Sequence, residues 1–268
     1  MIALFVLKLA AGITLMWLLM PRKDVTDGFF RIQMRVVLGL TVLAALLLSS
    51  DTTWPVESAV DSATETAETA TAQKTASQIR LLCIAAAVVS YAGSVLWALG
   101  RRRPGSICIY LLNLICLSAV ALHSWNVPNQ VTVVQQLLSD LSTALVAGSV
   151  LTGMLLGHWY LTTPTMSIGP LWWFNGAVIV AAALRLAASG WAVGGFGWSF
   201  HETTHQIWFG IRCAGGIAAP AAAAAMVWRI LKHRNTQSAT GVLFAGLILV
   251  FMGEMTAALL ERDVLVPY

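Results

Sequence analysis

Residues 2–23 read IALFVLKLAAGITLMWLLMPRK, a run from 2 to 20 with one charge, Lys8, closed by Pro21-Arg22-Lys23. A helix rises 1.5 Å per residue, so about 20 apolar residues cross about 30 Å of hydrocarbon. The stretch therefore predicts a membrane-spanning helix with basic residues at its far end. No basic segment precedes it, and Pro-Arg-Lys stands where a small-residue cleavage site would fall. It is expected to stay in place as the first helix, not to be removed as a signal peptide.

The same reading extends along the chain. Further candidate spans run over 36–50 (starting back near Phe29), 81–100, 107–123, 133–157, 171–189, 206–228 and 239–260. Over 268 residues, 58% are hydrophobic and 10% charged, where a soluble domain carries about a quarter charged. Lipid offers no partner for a free backbone N–H or C=O, so the spans must be helices, and the alternation of a membrane barrel is absent. The expected fold is all-α: a polytopic integral membrane bundle of eight helices forming one domain, 1–268. Residues 51–79, rich in Thr, Ala, Ser and Glu, read as a polar acidic outer loop. Its low hydrophobicity favours a flexible chain over an outward extension of the third helix.

Charge placement orients the bundle. With eight spans, one set of loops holds ten basic residues: Arg22, Lys23, Arg31, Arg35, Arg101, Arg102, Arg103, Arg229, Lys232 and Arg234. The other set holds only Lys74, Arg80 and Arg262. The positive-inside bias puts the ten in the cytoplasm and both termini outside, as in a multi-pass protein of the cell's inner (plasma) membrane. Trp17, Trp97, Trp159, Trp172, Trp173 and Trp228 fall near inner ends, and Trp125, Trp191, Trp198 and Trp208 near outer ends, as interface anchors do. The sequence pI of about 9.1 follows from this asymmetry. The expected partners are the bilayer and other membrane subunits, not nucleic acid.

Five ionisable residues lie inside apolar runs: Lys8, Asp140, Arg185, Arg212 and Glu254, each on a different helix. Counted from the outer ends, all five fall roughly 6–12 Å below the outer surface. Charges in hydrocarbon are costly and usually face one another or a wet cavity. The simplest arrangement pairs Asp140 and Glu254 with two of the three bases. One cation is left over for a phosphate, a carboxylate or a haem propionate. Snorkelling of the long bases to the interface is the plain alternative. Gly153 and Gly157 form a GxxxG step, Gly246 and Gly253 lie on the last helix, and Gly215-Gly216 with Pro220 predict a bend in the seventh.

His201-Glu202-Thr203-Thr204-His205 matches H-E-x-x-H, the zinc signature that needs both imidazoles on one helix face with Glu as general base. His123, Asp140 or Glu254 would supply a third ligand. His123 with His201 or His205, or His158 with His233, would be the axial pair of a haem. On the inner side, His158 and Tyr160 could meet a quinone headgroup or relay protons, or simply anchor the boundary. Cys83, Cys108, Cys116 and Cys213 lie inside apolar spans without motif spacing and read as packing residues. Three function classes follow: a membrane subunit handling a quinone, haem or protons at an outer-leaflet charged site; a small-solute or ion transporter; and an intramembrane zinc hydrolase using HETTH.

Overall fold

The computed structural model describes residues 1–50, 63–126, 131–163, 166–196 and 202–267. The described residues are 91% helical and contain no strand. Helices α1 (Ile2–Leu19), α2 (Asp27–Ser50), α3 (Ala63–Ala98), α4 (Arg102–Trp125), α5 (Val133–Thr162) and α6 (Gly169–Phe196) follow in order. Then come α7 (Thr203–Ile211), a π-helical segment (Arg212–Ala218), α8 (Ala219–Lys232) and α9 (Thr236–Val264). α7, the π segment and α8 make one continuous span, so among the described residues eight helices are long and apolar enough to cross a membrane.

Local chemistry sets several helix ends. Thr132 accepts from the Gln135 amide while the Gln135 side chain reaches back to Thr132, a reciprocal cap that starts α5. Asn235 caps α9 by accepting from the Ser238 amide. α9 ends at Leu265 in the left-handed conformation, φ 59°. The segment expected as a flexible outer loop divides. From Ala63 onward it is the first part of α3, while residues 51–62 lie outside the described residues.

α1 and α5 are the inner helices. In their most apolar windows 72% and 67% of residues are buried, against 33–44% in the other spans. Their backbones touch: a Cβ on Gly12 would stand 1.8 Å from the Ala144 carbonyl oxygen, and one on Gly148 would stand 2.3 Å from the Gly12 carbonyl carbon. No side chain fits at either position, so these two glycines permit the crossing. One turn from that contact on each helix lie Lys8 and Asp140. The outward faces carry apolar stripes such as Leu81, Val88 and Val95 on α3, which suit lipid tails and not water.

The loops bearing the ten basic residues gather at one end of the bundle. There Arg102 pairs with Asp27 at 2.7 Å, Arg22 donates to the Tyr110 hydroxyl, and the Trp159 indole donates to Thr26. Trp172 meets Trp228 edge to face across α6 and α8. Two tryptophans expected as interface anchors are core residues instead. Trp17 is wholly buried, and Trp97 stacks on Phe30 with ring centroids 4.6 Å apart. Trp198 lies outside the described residues.

Candidate functional site

At the opposite end of the bundle, the five buried charges form two linked clusters around one cavity. Glu254 on α9 is the centre of the first. Its Oε1 accepts from Arg185 Nε at 3.2 Å and from Arg212 Nη1 at 3.0 Å. Its Oε2 accepts from Arg185 Nη2 at 3.1 Å and from the Thr143 hydroxyl at 2.8 Å. Arg185 Nη1 continues to Ser139 and Ser142 of α5, and Arg212 Nη2 to Ser189 of α6. Arg185, Arg212 and Glu254 are each at most 2% exposed. Two buried guanidinium groups on one carboxylate are tolerable only because serine and threonine oxygens satisfy the remaining hydrogen-bonding groups.

Backbone geometry makes room for this trio. The π segment places Arg212 against α9, and wider helical turns of this kind are frequent at functional sites. A Cβ on Gly216 would fall 2.6 Å from Arg212 Nη1 and 3.2 Å from Glu254 Oε1. A Cβ on Gly253 would fall 2.1 Å from the Gly216 amide nitrogen, and one on Gly215 would fall 2.6 Å from the Leu249 carbonyl oxygen. The bend predicted at Gly215-Gly216 is thus a close helix–helix contact as well as an irregular turn.

The second cluster is built on Asp140, which is wholly buried. Lys8 Nζ lies 2.7 Å from its Oδ1, Gln136 donates to the same oxygen, and the Ser124 hydroxyl donates to Oδ2. Gln136 Nε2 also donates to Glu261 Oε1 at 2.6 Å, and Glu261 Oε2 stands 4.0 Å from Lys8 Nζ. His123 completes the group: one ligand atom each from His123, Asp140 and Glu261 lie within 4.8 Å of one another. Among the described residues, no hydrogen bond reaches the His123 ring nitrogens.

Both clusters open on a cavity of about 350 Å³. Lys8, His123, Arg185, Glu254 and Glu261 line its polar side, and Leu4, Phe5, Ala257 and Ala258 its apolar side. The five buried charges therefore converge, though not as two simple pairs with a third base alone. Glu261 supplies a third acid, and Arg262 also lines the cavity, so Lys8, Arg185, Arg212 and Arg262 stand against Asp140, Glu254 and Glu261. The sequence reading ended the last span at 260 and counted Glu261 as loop, whereas α9 runs on to Val264. Its signal was the seven-residue spacing from Glu254, which keeps both acids on one helix face.

The HETTH string lies only in part within the described residues. α7 begins at Thr203, with exposed Glu202 as the extended residue before it, and His201 lies outside the described residues. His205 turns to Asp263 at 3.8 Å and Glu202 at 4.0 Å, not to Asp140 or Glu254. His123 is the one histidine lining the cavity among the described residues. At the basic end His158 and His233 are exposed, while the buried Tyr160 donates to the Ser167 carbonyl.

Between the two ends, α5 and α6 run antiparallel in one register. Ser142 meets Arg185, Gly153 meets Phe174 and Tyr160 meets Ser167. That register puts Thr152 and Asn175 at one level. Both are buried, and the Thr152 hydroxyl and both amide atoms of Asn175 have no hydrogen-bond partner among the described residues. Compared with protein-family models, with curated proteins and with solved structures, the chain finds no match.

Proposed function

We propose that this chain is an integral inner-membrane protein, with both termini outside, that handles protons at an outer-leaflet cavity and passes them along the α5–α6 seam. The observation that carries this reading is the buried Lys8–Asp140 pair beside His123 and Glu261, with Lys8, His123 and Glu261 lining one cavity. Acids and bases in hydrocarbon are retained where charge or protons must be held.

The seam supplies a way inward. Asn175 lies ten residues along α6 from Arg185, about 15 Å, and Thr152 lies eight residues along α5 from Tyr160, about 12 Å. A hydroxyl and an amide buried without partners offer the polar contacts that an internal water requires. Ser142 with Arg185, Thr152 with Asn175, and Tyr160 with Ser167 then form three polar levels from the cavity towards the basic end. The ten-to-three asymmetry of the loops supports the orientation, with that end in the cytoplasm.

The test is proton flux into vesicles holding a pH-sensitive dye, driven by an imposed membrane potential. Vesicles with the protein are expected to acidify faster than protein-free ones, and Asp140→Asn to remove about nine-tenths of that difference. Equal rates with and without the protein, or an Asp140→Asn rate equal to the parent's, would reject the reading.

A further inference from the structure

We propose that His123, Asp140 and Glu261 form a binding site for a divalent first-row transition-metal ion, whose seat is held by the Lys8 ammonium until an ion arrives. It goes beyond the proton-handling reading and stands whether or not the cavity conducts protons.

The three ligand residues come from α4, α5 and α9, and their nearest donor atoms lie within 4.8 Å of one another. A tetrahedral ion about 2.0–2.2 Å from its ligands spaces them by about 3.3 Å, so side-chain rotations of about 1–1.5 Å complete the site. One imidazole nitrogen with two carboxylate oxygens suits Zn²⁺, Mn²⁺ or Fe²⁺, and not a thiolate-seeking ion such as Cu⁺. The outer support is already present. Ser124 and Gln136 fix the Asp140 carboxylate, and Gln136 also holds Glu261.

Two features point to a cation and not to a sealed structural pair. His123 lines the cavity with its ring nitrogens unengaged among the described residues, beside two carboxylates. Lys8 Nζ, 2.7 Å from Asp140 and 4.0 Å from Glu261, stands between the acids but supplies one positive charge against their two. A divalent ion in that seat matches both. The cavity gives the entry path, and Lys8, on its flexible stem, can swing into it.

The probe is Zn²⁺ alone, measured by equilibrium dialysis against a competing chelator, on full-length protein in detergent with any affinity tag removed. Lys8→Met, which removes the competing cation, is expected to bind zinc about tenfold or more tighter than the parent. Glu261→Gln and His123→Ala are each expected to weaken binding by about tenfold or more, and His205→Ala to leave it unchanged. Zinc should also raise the thermal unfolding midpoint of Lys8→Met more than that of the parent. The proposal is overturned if Lys8→Met binds no tighter, or if His205→Ala loses zinc while Glu261→Gln keeps it. Should Lys8→Met not fold, the half-buried Glu261→Gln decides alone, since full zinc binding without that carboxylate rejects the site. No gradient is used, so a failure here is distinct from a failure of proton flux.

Discussion

Glu254 accepts from two guanidinium groups in a site that water barely reaches. Glu254→Gln removes the charge while keeping the shape, leaving Arg185 and Arg212 buried side by side without a counter-ion. Breaking one partner of a buried ion pair typically costs about 3–5 kcal/mol. A fall of that size is expected in the stability of the detergent-solubilised protein, followed by thermal unfolding; an unchanged midpoint would separate Glu254 from the two arginines. Gly216→Ala acts on the same trio through space alone, because its Cβ would meet Arg212 Nη1 at 2.6 Å. Overpacking of this kind costs about 1–3 kcal/mol. Gly210, with nothing within 4 Å of a Cβ, is the matched control, and Gly210→Ala should be neutral or slightly stabilising. At this scale the sequence announces Lys8, Asp140, Arg185, Arg212 and Glu254 because each interrupts an apolar run. Glu261 and Gln136 give no such signal, since each stands near a span end where polar residues are ordinary.

At the scale of elements, the seam between α5 and α6 makes a prediction that separates function from stability. Asn175→Leu is close to isosteric and deletes two buried polar atoms without partners. A water held at this level offsets the cost of burying these atoms, so the variant should fold and unfold within a few degrees of the parent. The same change interrupts the polar levels, and proton flux into vesicles should fall. Undiminished flux would remove Asn175 from the path. The GxxxG step at Gly153 and Gly157 was legible, and Gly157 does meet another helix: a Cβ there would press on the Thr240 hydroxyl at 2.5 Å. The tighter contact between Gly12 and Gly148 was not legible, because each glycine is isolated on its own helix and only the pairing of α1 with α5 gives it meaning. That crossing aligns Lys8 with Asp140. The surroundings of His205 were likewise not legible, since its approach to Asp263 depends on how α7 sits against the end of α9.

For the whole molecule, orientation is the consequence to test. A cysteine introduced as Ser77→Cys, on the exposed first part of α3, should react with a membrane-impermeant maleimide added outside intact cells. Arg103→Cys should react only after the membrane is opened. The reverse pattern would invert the bundle and place the charged cavity on the cytoplasmic side.

Eight spans, their helical form and the bias of basic loops follow from the chain alone, because hydrophobicity and charge are sums over neighbouring residues that lipid and water read locally. Lateral neighbours are different. Which helix lies beside which, and so which acid meets which base, depends on glycine contacts and registers between segments more than 100 residues apart, as with Thr143 and Glu254. Only the tertiary structure brought Glu261 and His123 to Asp140, turned His205 away from them, and set Thr152 level with Asn175. The physical reason is that burial in a membrane is decided residue by residue, whereas a site is decided by the packing of helices whose apolar faces look alike in sequence.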